Sequence, residues 1–387
     1  MLPFLAPYLT EIWGPFRLLG SNLVLIGIGV TISSVLTWAM LPRLWDALPH
    51  DRGRVHAQRS GQSVGKPTGA GLIVVLLLLP VLFLVLPFSL QLWEVVGCLF
   101  LVMLTGYFDD RSESSWGEFR KGLLDFGVAL LASLAVCQGH AFPMWWPLYK
   151  GAELDGSFLV PVWVFVPMAT ALLWITINAT NCSDGVDGLA GSLTMLSLFY
   201  LGGFLYGIVG HVDVASYLLV PHNASGALWA LLVFTAAGGL AGYIWHNAKP
   251  SACLMGDAGS RFLGLLVGVA VLATGNPFII LVVAPVVLVN GGSGLVKLVL
   301  LRGLKRLGFD VRRPGTNGNG TSAEAVGGEA QQNGQHVIVR LLHHVRFPLH
   351  DHCRKNLEWS DPQVLVRFVL LQALLTPLLL GILVKVR

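Results

Sequence analysis

Five aspartates in three distant stretches are the residues of this chain best suited to chemistry. Asp109 and Asp110 are adjacent, Asp184 and Asp187 stand in Asp184-Gly185-Val186-Asp187-Gly188, and Asp257 stands in Met255-Gly256-Asp257-Ala258-Gly259-Ser260. Only 21 of 387 residues are acidic, so such grouping at the edges of apolar segments carries weight. Ionisable groups there are costly, and function is the default reading. The chemistry on offer is metal-assisted. Mg²⁺ prefers carboxylate and phosphate oxygens and keeps several waters, so one or two acids plus the phosphates of a ligand complete its shell. A diphosphate also requires positive charge, for which Lys121 and the histidines His343, His344, His350 and His352 are candidates. Each group has a plainer reading. Asp109 and Asp110 read as a solvated helix end, and the Asp-Gly run as a turn. The Met255–Ser260 run reads as a helix-entry loop capped by Asp257 or Ser260. The histidines read as a solvated basic face. What favours a shared site is that three separate pieces place acids at one depth.

That depth is set by membrane spans. The chain is 54% hydrophobic and 12% charged, about half the charge of a soluble domain. This excludes a water-soluble enzyme, a disordered chain and a fibrous repeat. A span needs about 20 apolar residues. Ten candidates centre on 19–41, 69–89, 91–108, 122–138, 158–178, 186–209, 225–246, 259–274, 277–301 and 364–386. With ten spans, 19 of the 25 Lys and Arg residues, Lys249 and Arg261 among them, fall in loops on one side. By the positive-inside rule that side is cytoplasmic, and both termini lie outside. The expected class is therefore all-α, a polytopic membrane protein formed by a single domain over residues 1–387. Residues 314–335, rich in Gly, Asn, Gln, Ser and Thr, read as a disordered insertion in the last cytoplasmic loop. The five cysteines form no CxxC pair, so neither a disulfide framework nor a zinc site is signalled. No basic run precedes the first apolar stretch, so a cleaved signal peptide is not expected. No internal repeat is evident, and a transporter would set its polar residues near the bilayer midplane rather than at one face.

The motifs resemble those of the polyprenyl-phosphate N-acetylhexosamine-1-phosphate transferase superfamily, and within it the muramoyl-pentapeptide branch. Residues 106–110, GYFDD, look like its aspartate pair after the third span. Residues 178–190, NATNCSDGVDGLA, match its N-A-x-N-x-x-D-G-x-D-G-L-A run. Residues 247–264, NAKPSACLMGDAGSRFLG, match the run ending in M-G-D-x-G-S. Residues 65–71, GKPTGAG, are a weaker echo of its P-T loop. Residues 346–352, RFPLHDH, resemble its histidine-triplet segment, and Trp359, Asp361 and Val366-Arg367-Phe368 resemble the W-x-E and V-x-R-F that succeed the triplet.

The resemblance implies ten transmembrane helices with a cleft on the cytoplasmic face, in the cytoplasmic (inner) membrane of a bacterium. It implies transfer of phospho-N-acetylmuramoyl-pentapeptide from its UDP donor to undecaprenyl phosphate, releasing UMP, with Mg²⁺ as cofactor and a homodimer as assembly. No nucleic acid partner is expected. Asp257 corresponds to the metal-binding aspartate, and Asp109 and Asp110 to the pair that engages or deprotonates the lipid phosphate. Asn181, Asp184 and Asp187 correspond to polar residues of the nucleotide-sugar cleft. Lys121 corresponds to a lysine after the acid pair, and His350 and His352 to the first and third histidines of the triplet. Asp351 stands where the middle histidine is usual, Asn290 where an acid is usual and Lys297 where a glutamine is usual. These departures leave room for an altered donor, such as UDP-N-acetylglucosamine.

Overall fold

A computed structural model describes residues 1–51, 64–114, 116–147, 157–307 and 345–385. The expected insertion at 314–335, His343 and His344 lie outside the described residues. A short helix α1 (Leu2–Ile12) precedes α2 (Asn22–Leu44), α3 (Ala70–Val85), α4 (Leu90–Arg111) and α5 (Glu118–Cys137). An antiparallel hairpin pairs β1 (Phe142–Met144) with β2 (Phe158–Val160), Pro143 facing Leu159. Next come α6 (Val162–Ser183), α7 (Leu189–Phe204) prolonged by a π turn to Val209, α8 (Val212–Tyr217), α9 (Gly226–Asn247) and α10 (Gly256–Ala273). The chain ends with α11 (Ile279–Val283), α12 (Pro285–Arg306), α13 (Leu349–Asn356) and α14 (Asp361–Lys385).

Among the described residues, eight helices are long and apolar enough to cross a membrane, so this is a mostly helical polytopic membrane protein. The second and fourth expected spans are also helices, α3 and α5. The former is shorter, with 16 residues, and the latter opens on the charged residues Glu118, Arg120, Lys121 and Asp125. The helical class holds, with one short two-stranded sheet, β1–β2, added among the described residues. One expectation is corrected. The ninth span is not continuous. It breaks at Ala284 (φ −131°, ψ 39°), because the next residue, Pro285, lacks an N–H and disfavours helical geometry in the residue before it. The turn between α3 and α4 is as tight as the spacing predicts. Leu86, ahead of Pro87, leaves the helix in an extended conformation.

Helix α10 is the axis of the fold. All 18 of its residues are buried, and it packs on α3, α4, α6 and α7. Helices approach closely inside a bilayer where small residues permit. Gly106 of α4 lies on the first turn of α10, and a Cβ there would stand 2.4 Å from the Asp257 carbonyl oxygen. The entry to α10 is tighter still. Gly256 has φ +71°, and a Cβ on it would meet Asp110 Oδ2 at 2.3 Å and the Gly69 amide at 2.6 Å. Left-handed backbone with no room beyond it requires glycine.

Helices α13 and α14 close the same end of the bundle as the start of α10. His350 is 3% exposed. Its amide donates to Asn290 Oδ1 at 2.9 Å, and its ring Nδ1 lies 3.1 Å from the same oxygen. Asn290 sits on a π turn (Leu288–Gly292) inside α12, the kind of irregularity that redirects a side chain. The His350 ring also lies against Gly185, where a Cβ would be 2.2 Å from Nε2. Asp361 forms an ion pair with Arg354, Nε to Oδ1 2.9 Å, and accepts from Lys249 Nζ on Oδ2, tying α14 to α13 and to the loop after α9. Burial pushes the His350 imidazole down to about 4, against partial support from Asp351 and Asp361 and with opposition from Arg354 and Lys355. Asn290 supplies no negative charge to hold an imidazolium.

Two outcomes are expected. Gly106→Ala lowers the melting temperature of the detergent-solubilised protein, by an overpacking cost of about 1–3 kcal/mol; a wild-type melt would contradict the close approach. For His350, the unfolded chain takes up a proton below its ordinary value of 6.5 while the folded chain does so only near 4. Stability is thus complete above pH 6.5 and falls as pH drops through that window, by up to about 3 kcal/mol. The difference in melting temperature between pH 7.5 and pH 5 is therefore smaller in His350→Gln than in wild type. An unchanged difference would show that the ring is not held neutral.

Candidate functional site

Four helix ends converge where α10 begins. Asp109 and Asp110 end α4, Lys121 lies in the first turn of α5, Asn181 ends α6, and Asp257 is the second residue of α10. Asp110 turns its carboxylate onto the start of α10. Oδ1 accepts from the Asp257 amide at 2.9 Å and Oδ2 from the Ala258 amide at 3.0 Å. These are first-turn N–H groups with no partner inside the helix, and a carboxylate there is also favoured by the helix dipole. The cap on α10 thus comes from another helix rather than from Asp257 or Ser260.

Asp109 and Asp257 face one another across two cations. Lys121 Nζ bonds Asp257 Oδ2 at 3.0 Å and pairs with Asp109 Oδ2. Arg261 Nη2 lies 3.0 Å from Asp257 Oδ2 and 3.2 Å from Asp109 Oδ2. The remaining oxygens are also engaged. Asp109 Oδ1 accepts the Trp116 amide at 2.8 Å. Asn181 Nδ2 donates to Asp257 Oδ1 at 3.1 Å and to Ser260 Oγ at 3.0 Å. The second nitrogen of Arg261, Nη1, reaches Asp125 Oδ1 at 3.3 Å. Three carboxylates and two cations leave the cluster with one net negative charge. The side chains of Asp109, Asp125, Asp257 and Arg261 are at most 6% exposed, whereas that of Lys121 is 25% exposed. Lys121 is therefore the cation of this cluster that a ligand meets first.

Asp184 and Asp187 are half-buried in the loop between α6 and α7. Asn247 fixes that loop, accepting the Gly188 amide at 2.8 Å and donating to the Cys253 carbonyl at 2.8 Å. Lys66, in the Gly65–Gly71 stretch, donates to Ser251 Oγ at 2.9 Å. His352 is half-buried and its Nδ1 accepts the Arg346 amide at 3.4 Å. His350 is enclosed beneath the Asp184–Gly188 loop, with its ring turned to Asn290 and Gly185. Its position supports the loop rather than lining open space. Lys297 bonds the Val345 carbonyl at 3.0 Å and lies 5.4 Å over the Phe347 ring, holding the segment that leads into α13.

Sequence reasoning missed Arg261 and Asp125. Arg261 was expected in a basic loop, yet it is 1% exposed inside α10. The signal was available. Arg261 stands four residues after Asp257 and Asp125 four after Lys121, which places each pair on one helix face.

Asp257, with Asp109 beside it, offers carboxylate oxygens of the kind that hard divalent cations such as magnesium prefer. Lys121 and Arg261 occupy their Oδ2 atoms here, so a cation would bind by displacing one of these partners, Lys121 being the more exposed. Among the described residues no group of three or more His, Cys, Asp or Glu side chains is arranged to hold a metal alone. Oxygens of a bound ligand would complete the shell.

Similarity to known proteins falls on the same residues. Residues 92–275, which run from α4 to the end of α10, match the family model described as Glycosyl transferase family 4. The phospho-N-acetylmuramoyl-pentapeptide-transferase of Treponema pallidum (strain Nichols) is 44% identical over 385 residues, covering 98% of this chain and 95% of the relative. Proteins of the same name from Nautilia profundicola and Ruegeria sp. (strain TM1040) are 26% and 28% identical. They cover 83% and 81% of this chain, and 82% and 78% of their own lengths. Near-complete coverage at this identity, together with the converging aspartates, places the chain among the transferase enzymes of the phospho-N-acetylmuramoyl-pentapeptide-transferase family.

Proposed function

We propose that this enzyme moves phospho-N-acetylmuramoyl-pentapeptide from UDP to undecaprenyl phosphate, forming the lipid-linked precursor of peptidoglycan and releasing UMP. The observation that carries this reading is the pair of carboxylates, Asp109 and Asp257, whose Oδ2 atoms share Lys121 and Arg261 at one end of the bundle. In this reading the protein is a single membrane-embedded domain with ten spans, both termini face the periplasm, and the start of α10 opens to the cytoplasm, where the nucleotide donor is found. The enzyme sits in the bacterial inner membrane. The loop holding Asp184 and Asp187, with Asn181, receives the nucleotide sugar. His350 supports that loop from below and His352 flanks it.

An oxygen of the lipid phosphate attacks the β-phosphorus of the donor, and the bond from that phosphorus to the oxygen of UMP breaks. Two polyanions meet, so charge repulsion is the main barrier, and fixed cations at the reacting phosphates lower it. Lys121, at the mouth of the cluster, meets the incoming phosphates. Asp257 would hold a Mg²⁺ ion, which when bound would supply further charge neutralisation on the diphosphate. With a second pKa near 6, the lipid phosphate is largely ionised at neutral pH, so Asp109 orients the acceptor or takes its last proton without acting as a strong base. Asp110, with both oxygens committed to backbone amides of α10, holds Asp257 in place.

Purified protein with Mg²⁺ and undecaprenyl phosphate is expected to release UMP from UDP-N-acetylmuramoyl-pentapeptide. Release from UDP-N-acetylglucosamine instead would move the enzyme to the sister branch, and solute uptake without lipid acceptor would point to a transporter. Asp257→Asn is expected to lower kcat by about 10²–10³, the cost of removing one preorganised electrostatic group; full activity in this variant would contradict its role. Asp110→Ala is expected to lower stability by about 1–2 kcal/mol, as loss of a helix cap does. A thermal melt reads this, and an unshifted melt would mean that the cap carries no load.

A further inference from the structure

Two residues of the cluster have no part in the proposed transfer, and they are the most deeply buried. Asp125 is 2% exposed and Arg261 1%. Helices α5 and α10 both start at the same end, and each carries two opposite charges one turn apart. Lys121 and Asp125 lie on α5, and Asp257 and Arg261 on α10. The signs are crossed. Lys121 meets Asp257 at 3.0 Å, and one turn deeper Asp125 meets Arg261 at 3.3 Å.

The guanidinium is a rigid, planar fork, unlike the flexible point charge of lysine. Fixing Nη1 on Asp125 Oδ1 therefore fixes where Nη2 lies. That nitrogen is the one bridging Asp257 Oδ2 at 3.0 Å and Asp109 Oδ2 at 3.2 Å. Neither Asp125 nor Arg261 is placed to touch a ligand, since both lie a turn below the mouth where Lys121 is exposed. We propose that Asp125 and Arg261 form a buried clamp that sets the separation and orientation of Asp109 and Asp257. They are positioning residues for the two carboxylates that hold the cation and the acceptor. The kinetic consequence rests on the transfer reaction proposed above, whereas the effect on cation affinity does not.

The paired substitution separates positioning from mere support. Wild-type protein carries three acids and two bases in the cluster, and D125N/R261Q carries two acids and one base, so the net charge of minus one is unchanged. R261Q alone leaves Asp125 buried and unpaired, and D125N alone leaves Arg261 without its anchor, so both single variants should melt earlier than wild type. D125N/R261Q should recover the wild-type melting temperature, because no lone buried charge remains. It should nevertheless keep kcat down by about 100-fold with donor KM within about threefold, since a misplacement near 1 Å costs this much. Its affinity for Mn²⁺, titrated by electron paramagnetic resonance without substrate, should fall about tenfold, as for loss of groups that orient metal ligands. R261K is a second test that retains the charge, and it should also keep kcat low, because an ammonium cannot bridge all three carboxylates as a fork does. Wild-type kcat and Mn²⁺ affinity in D125N/R261Q, or in R261K if the double variant does not fold, would overturn the clamp. If wild-type protein released no UMP from either donor, the proposed reaction would fail, while the Mn²⁺ titrations would still decide whether the clamp exists.

Discussion

Charge removed from water must be answered by opposite charge or by dipoles at close range, and the start of α10 is built around that requirement. Breaking one member of such a buried set costs about 3–5 kcal/mol, because the remaining charge has no partner. Asp109, Asp125 and Asp257 are all buried, and each has a named cation within hydrogen-bond reach. The constraint runs in both directions. The cations make burial of the acids tolerable, and the acids fix where the cations lie. A site made in this way is ordered before any ligand arrives, and such order is what electrostatic catalysis draws on.

The rest of the bundle serves this placement. Gly106 and Gly256 let α3, α4 and α10 approach until Asp110 can reach backbone amides of another helix. On the other side, α13 is held by His350 on Asn290 and by Arg354 on Asp361, and it lies under the loop carrying Asp184 and Asp187. A neutral amide faces a neutral imidazole, so no ion pair is needed at this buried contact.

Much of this was legible in the sequence. The three acid motifs were visible because Asp and Asn are scarce inside apolar helices, and the bundle brings Asp109, Asp110, Asn181 and Asp257 together. Apolar stretches located the helices to within a few residues. Other features were hidden for definite reasons. Arg261 looked like one more loop cation, because charge counting does not reveal that a helix begins at Gly256 and turns residue 261 inward. Asp125 was overlooked inside a segment read only for hydropathy, and its meaning depends on Arg261, 136 residues away. The roles of Asp110 as a cap and of His350 as a support depend on which way each side chain turns, and motif spacing carries no such information. The hairpin at Phe142–Met144 and Phe158–Val160 has strands of three residues, too short to show alternation.

The central claim is that separate helix ends carry Asp109, Asn181 and Asp257 to one point, where the proposed function requires a divalent cation to bind. Cleavage by bound iron tests it most directly. Fe²⁺ replaces Mg²⁺ in the purified protein, ascorbate is added, and the cut sites are mapped by mass spectrometry. The account predicts backbone cuts clustered beside residues 109, 181 and 257, suppressed together by excess Mg²⁺. Cuts confined to the opposite end of the bundle, near Trp145 and His222, or beside only one of these three segments, would contradict it.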